Sequence, residues 1–403
     1  MGTAPDHDLA TGQLVIGLTG KAQRIARPSE LGWLRKPLER SLMMAKIRSD
    51  CVALLVGAAL TSSAFVGAAH AVPVASGGFN VSVFATAPAG ASVPDSIAVA
   101  NGNVFVGYGN GGDPTGAGGA MSTIAKFTST GTLVGTTNIA GHNDGLKFNS
   151  STGQLWALQN EDANATLILM NPATLATSAA MSFNPNPPPH GGGYDDVVFT
   201  GGKNFISASA PKLNPNTAPA IVSATIAGGT VNTTGVLNGN ATATVINGGG
   251  STTLNLQDPD SMTLSPSGQL VLDSQADKQL VFVSNPGAAG QSVSVLNLTN
   301  SVDDTAFAGG GDSTLLVADK GSGTVFAITG PFGAGTAFSA AAGNPGQSSF
   351  VGQLNLATGS LTPIVTGLIN PGGEAFLAVP EPASLVLVGT GLVAMVWLRR
   401  RFD

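Results

Sequence analysis

The chain has 403 residues and a formal charge of −6, with only 10% charged and 5% aromatic residues but 55 glycines. That length allows one large domain or two ordinary ones. The absence of a strict Gly-X-Y period excludes collagen. Small residues between short apolar runs point to a turn-rich all-β protein rather than a helical bundle.

The charge is unevenly spread. Between Val72 and Val379 there are six lysines, no arginine, fourteen aspartates, Glu161 and Glu374, a net charge of −10. An acidic, arginine-free body is a poor match for a phosphate backbone, so no nucleic-acid partner is expected. Divalent cations or polysaccharide suit it better, although acidic surfaces also serve solubility alone. The only cysteine, Cys51, falls in a segment expected to be removed, which leaves no disulfide or thiolate metal site in the mature chain.

In chain order, residues 1–42 carry scattered charge and no motif, and read as an over-extended or disordered N-terminus. Residues 43–71 read as a signal peptide: a basic start at Lys46 and Arg48, an apolar Ala-rich helix from Val52, and the cleavage motif Ala69-His70-Ala71. The expected partners here are the Sec translocon and signal peptidase, with cleavage after Ala71.

Residues 72–379 form the exported body, in which strand-turn-strand units recur. The segment "DSIAVANGNVFVGYG" is two strands joined at Asn101-Gly102, a favoured hairpin pair. "GQLVLDSQADKQLVFVSNPG" and "STLLVADKGSGTVFAITGP" repeat the plan. An acid precedes the first strand of each unit: Asp95, Asp144, Asp196, Asp260, Asp304 and Glu374, spaced by 49, 52, 64, 44 and 70 residues. Propeller blades span about 40–50 residues. The expected fold is therefore an all-β propeller of five or six blades, six anchors favouring six. "NVSVFAT" would serve as an outer strand to close the ring. "APKLNPNTAP" and "PFGAGTAFSAAAGNPGQSS" read as insertions.

The six acids are the candidate metal ligands. A hard cation such as calcium takes about six to eight oxygens, and neighbouring Asn143, Asp195, Asp258 and Asp303 add to the supply. The competing reading is that each aspartate caps a turn through backbone N–H groups. His142 and His190 are the only histidines of the body, and both read as loop or turn residues before metal ligands or general bases. Trp156, Tyr108 and Tyr194, its only Trp or Tyr, read as packing residues. No G-x-S-x-G elbow, EF-hand loop or phosphate loop occurs. The absence of such motifs favours a non-catalytic binding scaffold over an enzyme.

The last segment, 380–403, opens with Pro380-Glu381-Pro382. An uncharged run, 383–398, follows, and then Arg399, Arg400 and Arg401. Sixteen residues of helix reach ~24 Å, short of the ~30 Å hydrocarbon core. The expectation is a short membrane helix with its arginines cytoplasmic. This order resembles the PEP-CTERM proteins. The resemblance implies processing at the Pro-Glu-Pro motif by an exosortase and delivery to the surface or polysaccharide matrix of a Gram-negative bacterium, and the short helix suggests a temporary stay in the inner membrane. "LLVADKGSGTVFAI" is similar to hairpins of NHL-type and gluconolactonase-type propellers. Those families include binding scaffolds and metal-dependent lactonases, and the second is the alternative to the scaffold reading.

Overall fold

The computed structural model describes residues 72–343 and 348–377. The predicted signal peptide and sorting segment, with Ala69, Ala71, Pro380, Glu381, Pro382 and Arg399–Arg401, lie outside them. The described chain is all-β, and its one helical element is the single 3-10 turn Ala117–Gly119. Among the described residues no helix is long and apolar enough to cross a membrane. The flanking-helix part of the expected fold and the membrane as a partner therefore have no support, and 383–398 itself is outside the described residues.

Five of the six acidic anchors begin, or immediately precede, a short inner strand, and Glu374 lies in the middle of the sixth. The six strands are Pro94–Ala100, Asn143–Asn149, Val197–Thr200, Pro259–Leu264, Thr305–Phe307 and Pro371–Leu377. Each inner strand contacts the next, and the last touches the first, so the strands close a ring. The body is loosely propeller-like.

It is not the regular five- or six-bladed propeller expected from the sequence. The second and third units merge into one eight-stranded sheet, because Met181–Asn184 pairs in parallel with Thr230–Asn238. The fourth grows to six strands by adding Thr242–Val245 and Ser251–Thr253. The last two units interleave. The hairpin Thr314–Asp319 and Thr324–Thr329 follows the inner strand Thr305–Phe307 in sequence, yet it pairs with Pro371–Leu377. Thr305–Phe307 pairs instead with Ala337–Ala341, inside a segment that reads as an insertion. The physical reason is that alternating apolar residues mark a strand but not its partner. The strand Asn80–Thr86 forms the outer edge of the last sheet, against Thr324–Thr329.

The core lies between adjacent sheets. Where the ring closes, Leu316, Ala318 and Val325 of the last sheet pack on Val104, Val106 and Phe127 of the first. Full burial of such side chains contributes roughly 1.5–3 kcal/mol each. The hairpin at Asn101-Gly102 has φ of 52° and 73°, the left-handed pair that a two-residue turn needs. At the axis the inner strands approach so closely that side chains are excluded. A Cβ on Gly145 would lie 2.0 Å from the Asp195 carbonyl oxygen, and one on Gly373 would lie 2.2 Å from that of Asp95. These glycines, each next to an anchor acid, set the narrow bore.

Candidate metal centre

The first residues of the inner strands surround a narrow cavity of about 20 Å³, room for about one water or ion. Asp95, Asp144, Asp195, Asp260 and Asp303 line it. Crowding so many carboxyls in a desolvated bore opposes their ionisation. Burial, and then the neighbouring Asp144, raise Asp95 well above the usual carboxylate range. Burial and Glu161 do the same to Asp144, and burial with Asp144 and Asp260 does so to Asp195. Burial pushes Glu161 up to about 7, although its hydrogen bond with Asp144 pulls the other way. The carboxyls crowd one another: Asp95 beside Asp144, Asp144 beside Glu161, and Asp195 beside Asp260.

Two lysines meet acids of this ring: Lys147 reaches Asp196, and Lys320 spans two others. Lys320 Nζ lies 2.9 Å from Asp95 and 3.2 Å from Asp303. Among the described residues no ion pair reaches Asp144, Glu161 or Asp195. One carboxylate oxygen from each of these three lies within 4.8 Å of the others. Asp195 is buried, and its Oδ2 has no hydrogen-bond partner. Asp144 and Glu161 are half-buried, which leaves one edge of the group open. Three hard carboxylates and an orphaned buried oxygen fit a divalent cation such as calcium, magnesium or manganese, and none of them selects calcium.

The paired aspartates divide their work. In Asp195-Asp196 the first faces the ring. The second binds backbone: its Oδ1 accepts the Val197 N–H at 2.8 Å and its Oδ2 the Met262 N–H at 3.0 Å, with Lys147 Nζ at 3.1 Å. In Asp303-Asp304 the pattern repeats. Asp303 meets Lys320, while Asp304 accepts the N–H groups of Thr305 at 2.7 Å and Glu374 at 2.8 Å. Burial, partly offset by Lys147, sets Asp304 at about 6. Asp196 and Asp304 thus cap their own strands and hold the neighbouring inner strand.

Of the six sequence candidates, Asp95, Asp144 and Asp260 face the ring, Asp196 and Asp304 bind backbone, and Glu374 lines a second cavity. Sequence reasoning missed Glu161 and Lys320. Glu161 follows the strand Gln154–Gln159 in the turn before Thr166–Met170, and Lys320 is one of only six lysines in the body. Burial lowers the pKa of His142, and that of His190, which is 1% exposed and bonds the Gly193 carbonyl at 2.7 Å. Tyr108, Tyr194 and Trp156 are buried in the core.

Residues 378–401 match the family model described as the PEP-CTERM protein-sorting motif. The chain carries a PEP-CTERM sorting motif. This motif marks the protein for export and placement at the cell surface, and it names an exosortase-type system as the sorting partner. No curated protein matches the chain. Among solved structures it is similar to the Pseudomonas aeruginosa periplasmic gluconolactonase PpgL, at 13% identity over 71% of this chain and 89% of that one, with a TM-score of 0.42. A streptogramin B lyase matches at 12% identity over 76% and 74% of the two chains, with a TM-score of 0.39. Virginiamycin B lyase from Staphylococcus aureus matches at 10% identity over 75% of each, with a TM-score of 0.38. The likeness is remote, and no activity passes from those proteins to this PEP-CTERM chain. The expectation that the body is a scaffold rather than an enzyme is corrected on the site itself, since Asp144, Glu161 and Asp195 form a group able to hold a metal ion.

Proposed function

We propose that the exported body is a metal-dependent hydrolase of lactones or related esters, displayed at the surface or in the matrix of a Gram-negative bacterium. The observation that carries this reading is the convergence of Asp144, Glu161 and Asp195 within 4.8 Å. A divalent cation held there would polarise a substrate carbonyl and stabilise the charge that develops on its oxygen. The chain's own part is to hold and position. Asp144 comes from one inner strand and Asp195 from the segment just before the next, their spacing fixed by Gly145, and Glu161 reaches in from the turn after Gln154–Gln159. Asp95 and Asp260, beside Asp144 and Asp195, keep carboxyls next to the ligands and are placed to accept or return a proton. Lys320 neutralises Asp95 and Asp303, which limits the net negative charge that faces an ester.

The sorting tail supports the destination. In this reading residues 43–71 direct export, and an exosortase acts at Pro380-Glu381-Pro382. The experiment is turnover of a small lactone by the purified body, 72–379, with a divalent cation and with chelator. Metal-dependent turnover lost in Glu161→Gln and Asp195→Asn supports the reading. Chelator-insensitive turnover, or none with any divalent cation, removes it.

A further inference from the structure

Among the described residues, the outer edges of the sheets are blunted, with one exception. The second and third units seal each other through the parallel pair Met181–Asn184 and Thr230–Asn238. The fourth ends in the three-residue strand Ser251–Thr253, and the sheet that holds Ala337–Ala341 ends in the two-residue strand Val74–Ala75. The last sheet ends in Asn80–Thr86, where a bulge between Val83 and Ala85 breaks the pairing mid-strand. There the turn at Gly131 also abuts the strand, since a Cβ on Gly131 would lie 2.0 Å from the Phe84 carbonyl oxygen. Short edges, bulges and covering loops are the devices that stop a strand edge from pairing with another chain.

The first sheet is the exception. Its outer edge is the eight-residue strand Leu133–Ala140, "LVGTTNIA", which pairs on one side only, with Met121–Thr128. Its single bulge, at Val134, lies near the start, and the pairing is regular from Gly135 to Ala140. Leu133, Val134, Thr136, Asn138 and Ala140 are exposed. Alternate backbone N–H and C=O groups of an edge strand point outward, and among the described residues no hydrogen bond reaches this backbone except from Met121–Thr128. The strand holds no charge and no proline, in a body whose net charge is −10. The usual protection of an edge, a lysine or a proline on it, is missing where the edge is longest.

We infer that Leu133–Ala140 is a self-association edge, which pairs antiparallel with the same strand of a second copy of this chain. Charge selects the occupant. Two acidic bodies repel, and this charge-free strip lets their backbones approach without carboxylates facing each other. The sequence is also self-complementary. A two-fold axis through such a pair sets residues of the same face against one another. Centred on Thr137, it sets Thr137 against its own copy, Thr136 against Asn138 and Val134 against Ala140, so polar meets polar and apolar meets apolar. An edge of this length buries little surface, so the dimer is weak and depends on concentration. The strand is the outermost of its sheet, three strands out from Pro94–Ala100, and the inference does not rest on the hydrolase reading.

The test is sedimentation equilibrium of the purified body, whose ring of strands closes within 72–377, from low micromolar to high micromolar concentration. The expected result is a monomer–dimer equilibrium. Thr136→Lys changes an exposed side chain that makes no hydrogen bond in the fold, and it should raise the dimer Kd at least about tenfold by placing like charges across the two-fold. Ser82→Lys, on the bulged edge Asn80–Thr86, should leave the Kd unchanged. The body has no cysteine of its own, so Thr137→Cys places a single thiol on the axis. Mild oxidation should then link two copies, and Ser82→Cys should not. A monomer at every concentration overturns the inference. So does a dimer that Thr136→Lys leaves intact, or one that Thr137→Cys does not link, since either means that the copies meet elsewhere.

Discussion

Lys320 Nζ stands 2.9 Å from Asp95 and thereby neutralises one side of the acidic ring, while among the described residues no cation pairs with Asp144, Glu161 or Asp195. This asymmetry distinguishes the open group from its neighbours and makes it the place where an external cation gains most. A buried charge pair broken on one side leaves the other charge uncompensated. Lys320→Met should therefore lower thermal stability without metal, by several degrees, and added divalent cation should recover more of it than in the wild type. A melting series with and without cation checks this. A variant as stable as wild type without metal would show that Lys320 contributes nothing to the ring.

The division of labour within Asp195-Asp196 predicts opposite effects of neighbouring substitutions. Asp196→Ala strips partners from the buried N–H groups of Val197 and Met262, at a cost of about 1–3 kcal/mol each. Its melting temperature should fall. Asp195→Asn removes a carboxyl pressed against Asp144 and Asp260, and should raise the stability of the metal-free protein while abolishing stabilisation by divalent cations. Denaturant melts of both variants, each with chelator and with metal, decide it.

The pH dependence follows from the same crowding. Asp95, Asp144, Glu161, Asp195 and Asp260 all have native pKa values raised above their unfolded values. Between the two values the native state binds more protons than the unfolded state, so stability falls as pH rises. For Glu161 the window runs from 4.5 to about 7. The two histidines, lowered by burial, act in the opposite sense below the ordinary imidazole value of 6.5, but they are two against five. The metal-free body should thus melt higher at pH 5 than at pH 8, and the stabilisation by a divalent cation should grow over that range. Melting curves in chelator across pH 4.5–8 would read a rising trend if the account is wrong.

Gly145 tests the bore. Its missing Cβ would sit 2.0 Å from a backbone carbonyl, which no rotamer change can relieve. Gly145→Ala should cost about 1–3 kcal/mol or more and weaken divalent binding by displacing Asp195. Unchanged stability and affinity would mean that the inner strands have slack.

Much of this was legible in the residues. The six acids and the strand after each marked the inner strands, because a polar anchor followed by an apolar strand is a local signal. The hairpin at Asn101-Gly102 was legible for the same reason. Pairing was not. Thr314–Thr329 and Ala337–Ala341 exchange partners, and strand patterns carry no label for their neighbours. Within the site, sequence could not tell Asp195 from Asp196. Both precede the inner strand Val197–Thr200, and only the folded geometry says which of them faces the ring. Glu161 escaped notice because it lies on a turn rather than beside an inner strand.

The central claim is that Asp144, Glu161 and Asp195 hold a divalent cation. Calorimetric titration of the metal-stripped body with calcium, magnesium and manganese at pH 7.5 tests it directly. The account predicts saturable binding of at least one of them at one site, with proton release, lost in Glu161→Gln and Asp195→Asn. No heat from any of the three up to millimolar concentration, or binding unchanged in both variants, would contradict it.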